Sequence, residues 1–166
     1  MKKYFNVLII VILALLMQGC EEPSMTDISK KIVKVETPNG KYTTVNKSSG
    51  AYGRYQIMPK TARHYTRKLN MNYSTWKHPK NQDKIFMALL SDNVESLKKN
   101  GMEVNAFTVY GCHQQGATGF KSIVNNEGMT AYSYEKLRRN LPKKYRHIDN
   151  KRLRQVWMNY WKNKMS

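Results

Sequence analysis

Acidic residues are few for a chain so rich in basic ones. Only 11 Asp and Glu stand against 29 Lys and Arg, a net charge of +18; without residues 1–19, which hold Lys2 and Lys3, it is +16. A surplus this large draws a chain toward polyanions, although a solvated basic surface alone has the same composition. The basic residues are spread along the whole sequence and form no recognisable nucleic-acid fold, so no nucleic-acid partner is expected. Metal-ligand clusters, phosphate loops and dinucleotide fingerprints are also missing, so neither a metal nor any other cofactor is expected.

Long apolar runs are scarce. Val7 to Met17 spans 11 residues, well short of the ~20 that a membrane-spanning helix needs. With Lys2 and Lys3 ahead of it, the run reads as the apolar region of a secretory signal. Cysteine occurs only at Cys20 and Cys112, and Gly19-Cys20 at the end of the apolar run resembles a lipoprotein signal, with acylation of Cys20. Met17 and Gln18 depart from the commonest form of that motif; an uncleaved anchor or simple secretion are the alternatives. The expected organisation is a signal over residues 1–19, a polar tether over 20–26 and one domain over 27–166. Such a protein works outside the cytoplasm, in the periplasm or at the cell surface, held to a membrane by its N-terminal lipid. Cys112 then has no disulfide partner and reads as a small buried hydrophobe; a Cys112–His113 nucleophile is disfavoured because adjacent side chains rarely face one substrate.

Strand signals are weak and limited to a short hairpin around residues 41–46. Helical periodicity is plentiful, and the expected fold is a mainly α single domain. Ile28, Ile32 and Val35 share a helix face that Pro38, Asn39 and Gly40 end. Pro59 opens a helix carrying Ala62, Tyr65 and Leu69. Phe86, Leu89, Leu90, Val94 and Leu97 make a longer one, stopped at Asn100-Gly101. Phe107 and Tyr110 mark a short helix, and Phe120, Ile123 and Val124 another that ends at Gly128. Asp149 caps a last helix with Leu153, Val156, Trp157, Tyr160 and Trp161 on one face.

Between Ile28 and Gln82 the only acidic residue is Glu36. It falls at a helix C-terminus, where free carbonyls disfavour an ionised carboxylate by ~0.3–1 kcal/mol. Burial against apolar neighbours such as Val35 acts in the same direction, and a raised pKa suits a general acid. A surface Glu paired with lysine is equally compatible with the spacing.

The residues that follow tilt this balance. Gly50-Ala-Tyr-Gly-Arg-Tyr-Gln-Ile-Met-Pro-Lys-Thr61 resembles the Gly-Ala-x-Gly-x-x-Gln-x-x-Pro-x-Thr block of the lytic transglycosylase and goose-type lysozyme-like superfamily, and Glu36-Thr37 resembles its catalytic Glu with the following Ser or Thr. Tyr110-Gly-Cys-His-Gln-Gln-Gly-Ala117 is similar to the later Ala-Tyr-Asn-Ala-Gly segment in its His-Gln-Gln-Gly form, and Pro79-Lys-Asn-Gln82 to the Pro-x-x-Gln helix start.

The resemblance implies a lysozyme-like fold and peptidoglycan as substrate, with Glu36 catalytic. It places Gln56 in the cleft beside Glu36 and puts His113 and Gln114 where the family carries a substrate-facing Asn. Tyr55 reads either as a sugar-stacking ring or as core. The implied reaction uses one Glu as acid and then base to cleave between N-acetylmuramic acid and N-acetylglucosamine, leaving 1,6-anhydro ends. Two alternatives stand beside it: a muramidase of the same fold, and a non-catalytic cationic wall-binding lipoprotein. A role within an envelope-spanning machine is compatible with all three.

Overall fold

The structure, a computed structural model, describes residues 23–166; the expected signal segment and Cys20 lie outside the described residues. Among the described residues, seven α-helices follow one another: α1 (Met25–Glu36), α2 (Pro59–Lys68), α3 (Pro79–Lys99), α4 (Ala106–Gln115), α5 (Ala117–Asn125), α6 (Ala131–Arg139) and α7 (Asn150–Met165). The mainly α class expected from the sequence is the one observed. Helix α1 already begins at Met25, inside the expected tether, because Ser24 accepts from the Asp27 amide and caps it.

Each helix start uses the chemistry its sequence supplies. Proline opens α2 and α3, where its missing N–H has no intrahelical partner to lose. Asn105 and Thr108 form a capping box for α4, and Asp149 accepts from the Arg152 amide to cap α7. Replacing Asp149 by Ala is therefore expected to lower stability by about 1 kcal/mol in urea unfolding.

Helix α4 is the hub. It packs against α1, α3, α5 and α7, and seven of its residues, from Ala106 to Gln115, are buried. Phe120 of α5 lies across Gly111 so closely that a Cβ there would stand 2.2 Å from the ring. The stripe on α7 fills the other side: Leu153, Trp157 and Trp161 are buried, while Val156 and Tyr160 pack at its edge. Helix α3 contributes Ile85, Phe86, Leu90 and Leu97 to the same core.

Two expectations need correction. No hairpin forms over residues 41–46. Val45 makes an isolated bridge to Tyr52, and Tyr52 a second to Ile57, so the pairing lies in the later part of the loop between α1 and α2. Helix α6 was not expected, because Leu137 is its only buried residue and Tyr132 is 70% exposed. Its signal is local: Thr130 and Ser133 form a capping box. Helix α5 also ends earlier than expected, at Asn125, where Asn126 takes a left-handed conformation.

Candidate active site

Glu36 is the last residue of α1, and the chain leaves the helix through Thr37. The Thr37 hydroxyl donates to the Arg54 carbonyl at 2.7 Å and lies 3.4 Å from that of Gly53. Thr37 is thus a staple: it ties the end of α1 to the Gly50–Ile57 loop and fixes the direction in which Glu36 leaves the helix.

The loop is held from below by Gln82 on α3, fully buried. Its Oε1 accepts from the Arg54 amide, and its Nε2 donates to the carbonyls of Tyr42 and Lys77. Gly53 permits this approach, at a φ of +82°. The Pro79-x-x-Gln82 motif therefore serves to set the loop. Gln56 sits in the loop at a φ of +48°, and its Nε2 donates to the Gly53 carbonyl at 2.9 Å. It shares that carbonyl with Thr37, one link from Glu36.

Tyr55 takes the core reading. It is 6% exposed, its ring stacks on Phe86 at 3.9 Å, and its hydroxyl donates to Asp83. A ring face already covered by Phe86 is not open to a sugar. Phe86 also meets His113 edge-on at 5.6 Å, so this one ring joins the loop to α4.

Helix α4 brings Tyr110 and His113 to Glu36, with Gln114 behind Tyr110. The Tyr110 hydroxyl donates to Glu36 Oε1 at 3.0 Å and accepts from Gln114 Nε2 at 2.7 Å. His113 Nε2 stands 3.8 Å from the same Oε1. Tyr110 is the hydrogen-bond donor to Oε1, with His113 beyond hydrogen-bond distance on the same side; Oε2 has no hydrogen-bond partner among the described residues. Gln114 therefore acts on the carboxyl through Tyr110, while its own Oε1 is buried without a partner.

Burial governs the electrostatics here. It raises the Glu36 carboxyl from its usual 4.5 to about 7, partly opposed by the Tyr110 hydrogen bond. Burial also lowers His113 to about 4, with the Tyr55 backbone opposing it. Near neutrality His113 is uncharged, and its contact with Glu36 is not an ion pair. The expected raised pKa of Glu36 is found, with burial as its leading cause.

Other carboxylates nearby in sequence are occupied or outside. Asp83 accepts from Tyr42 and Tyr55, Asp92 from Tyr65 and Lys68. Glu95 and Glu103 are exposed. Cys112 is buried and its thiol is pushed up to about 12, which leaves it protonated and unreactive, as its sequence setting suggested. Among the described residues, no group of three or more His, Cys, Asp and Glu could hold a metal ion.

Sequence reasoning missed the parts played by Tyr110, Thr37 and Gln82. All three lay inside quoted motifs, but a motif does not say which member touches the acid. No curated protein and no solved structure matches the chain. Residues 18–138 match the family model described as the Transglycosylase SLT domain, and the chain belongs to that family of transglycosylases acting on the glycan of peptidoglycan.

Proposed function

We propose that the chain is a lytic transglycosylase that cleaves the β-1,4 bond between N-acetylmuramic acid and N-acetylglucosamine and leaves 1,6-anhydro-muramyl ends. The observation that carries this reading is a carboxyl held near 7 by burial, while Asp83 and Asp92 are taken up by other groups. Hydrolytic glycosidases use two carboxyl groups ~5–9.5 Å apart, one of them to activate water or to attack. With Glu36 as the one carboxyl assigned to the reaction, this reading takes its nucleophile from the substrate.

In the proposed sequence Glu36 Oε2 gives its proton to the glycosidic oxygen as the bond to the anomeric carbon breaks. The substrate N-acetyl group shields the developing charge. The resulting carboxylate then takes the proton of the muramyl 6-hydroxyl, whose oxygen closes on the anomeric carbon, so Glu36 ends as it began. Tyr110, which donates to Oε1, steadies the transient carboxylate while Oε2 faces the reacting atoms. Gln56 contacts the substrate beside them.

The pH dependence has a definite sign. Glu36 must enter protonated, so kcat/KM falls about tenfold per pH unit above 7. Tyr110→Phe removes the hydrogen bond that lowers this pKa. It is expected to move the alkaline limb to higher pH while reducing the maximal rate roughly 10-fold through lost orientation. An unmoved limb would show that Tyr110 does not address the acid.

Digestion of peptidoglycan in heavy-oxygen water tests the reaction type. Transglycosylation predicts product ends one water lighter than reducing ends and free of label. Labelled reducing ends would identify a muramidase, and binding to sacculi with no soluble fragments a non-catalytic protein. The apolar run and Gly19-Cys20 support an exported, lipid-anchored protein. Cys20→Ser is expected to shift it from the membrane fraction to the soluble one; unchanged fractionation would contradict the anchor.

A further inference from the structure

Beside the Gly50–Ile57 loop opens a cleft of about 410 Å³, lined in part by Val45, Tyr52, Tyr73, Trp76 and Lys77. That is the size range of small-ligand sites, ~300–1,000 Å³. Trp76 is its buried floor, with Tyr52 edge-on at 5.5 Å and Tyr73 stacked at 6.3 Å. Two cations stand over these rings: Lys77 Nζ is 4.8 Å from the Tyr52 ring centre, and the Arg63 guanidinium 4.4 Å from that of Tyr73.

Neither cation meets a carboxylate among the described residues. The shortage is regional, since residues 37–82 hold nine Lys and Arg and no Asp or Glu. A ring face steadies a cation by ~0.5–1 kcal/mol at an exposed site but fills none of its N–H donors. Donors that lack an anion, set beside apolar walls, fit a ligand that carries a carboxylate.

We propose that this cleft is a subsite for peptide-bearing muramyl units, with Lys77 and Arg63 receiving carboxylates of the stem peptide. The inference rests on the wall-glycan substrate proposed above. The cleft is mechanically tied to the catalytic loop: Gln82 Nε2 holds the Lys77 carbonyl at 2.7 Å while its Oε1 holds the Arg54 amide at 3.2 Å. Arg54 in turn receives Thr37, next to Glu36. A muramyl unit whose peptide is held at Lys77 is thus registered against Glu36, and peptide-bearing strands are selected over stripped ones.

Binding to the uncleaving Glu36→Gln protein, read by calorimetry and by Trp fluorescence, tests this. The probes are a peptide-bearing glycan tetrasaccharide and the same glycan stripped of peptide. Adding Lys77→Gln with Arg63→Gln should weaken the first about 10-fold and the second less than twofold, and Lys77→Arg should restore most of the loss. Equal losses on both probes, or none on the first, would overturn the subsite and leave the transglycosylase reading intact. No binding of either probe by the Glu36→Gln protein would overturn both. Circular dichroism of each variant identifies a loss caused by unfolding, in which case the single Lys77→Gln change decides: weaker binding of the peptide-bearing probe alone supports the subsite, and unchanged binding of it refutes the subsite.

Discussion

Glu36→Gln is expected to lower glycan cleavage by about 10²–10⁴-fold, the usual contribution of a positioned proton donor, and at alkaline pH to make the protein more stable. The two effects have one origin. Raising a carboxyl from 4.5 to about 7 makes its ionisation in the folded protein unfavourable by up to roughly 3 kcal/mol, at ~1.36 kcal/mol per pH unit. The Glu36 side chain keeps 20% of its surface exposed, so solvent screening leaves a smaller net effect, of order 1–3 kcal/mol.

The sign follows from linkage. Below 4.5 the carboxyl is protonated in both folded and unfolded chains, and the wild type pays nothing. Between 4.5 and about 7 the unfolded chain ionises first, so native stability falls as pH rises, and above 7 the loss is complete. Glutamine carries no such load. Unfolding curves should therefore coincide near pH 4 and separate by pH 8, with the variant the more stable. A variant less stable at both pH values would mean that Glu36 is a structural residue.

Gly53→Ala carries the second large effect. At a φ of +82° an L side chain is strained, and the new Cβ would stand 1.8 Å from Oε1 and 2.5 Å from the side-chain carbonyl carbon of Gln82. Gln82 has no room to yield, since it is fully buried and bonded to the Arg54 amide and to the carbonyls of Tyr42 and Lys77. Displacing it strands buried polar groups at ~1–3 kcal/mol each, on top of ~1–3 kcal/mol of backbone strain. The expected loss is about 3–5 kcal/mol, a large share of a domain's usual ~5–15 kcal/mol.

Gly50→Ala is the control for Gly53. Gly50 has a similar φ of +74° but open space at its Cβ, so only backbone strain of about 1–3 kcal/mol applies. Denaturant unfolding of the pair isolates the Gln82 clash. Equal losses in the two variants would show that Gln82 does not brace the loop.

What could be read in the sequence was local. Proline at Pro59 and Pro79, the cap at Asp149 and the stripe from Leu153 to Trp161 each announce themselves within a few residues, because helix boundaries and amphipathic faces are short-range properties. Helix α6 escaped because it lies on the surface: with Leu137 alone buried, it has no stripe to detect. The loop pairing escaped because Val45, Tyr52 and Ile57 meet through isolated bridges, with no alternating run on either side.

At the site, Glu36 stood out as the one carboxylate in a long basic stretch, though that spacing fits a surface Glu equally well and the motif resemblance tilted the balance; its partners were not legible. The Tyr110 hydroxyl reaches Glu36 across 74 residues of sequence, and that reach depends on how α1 crosses α4. The same tertiary packing turned Tyr55 into core, since Phe86 arrives from α3 to cover its ring.

The most direct measurement is a carbon-13 NMR titration of the Glu36 side-chain carboxyl in the folded, substrate-free protein. A midpoint near 7, moving upward in Tyr110→Phe, is predicted by an acid kept neutral through burial and moderated by one phenol. A midpoint near 4.5, unmoved by Tyr110→Phe, would contradict the account, because Glu36 would then have no proton to give.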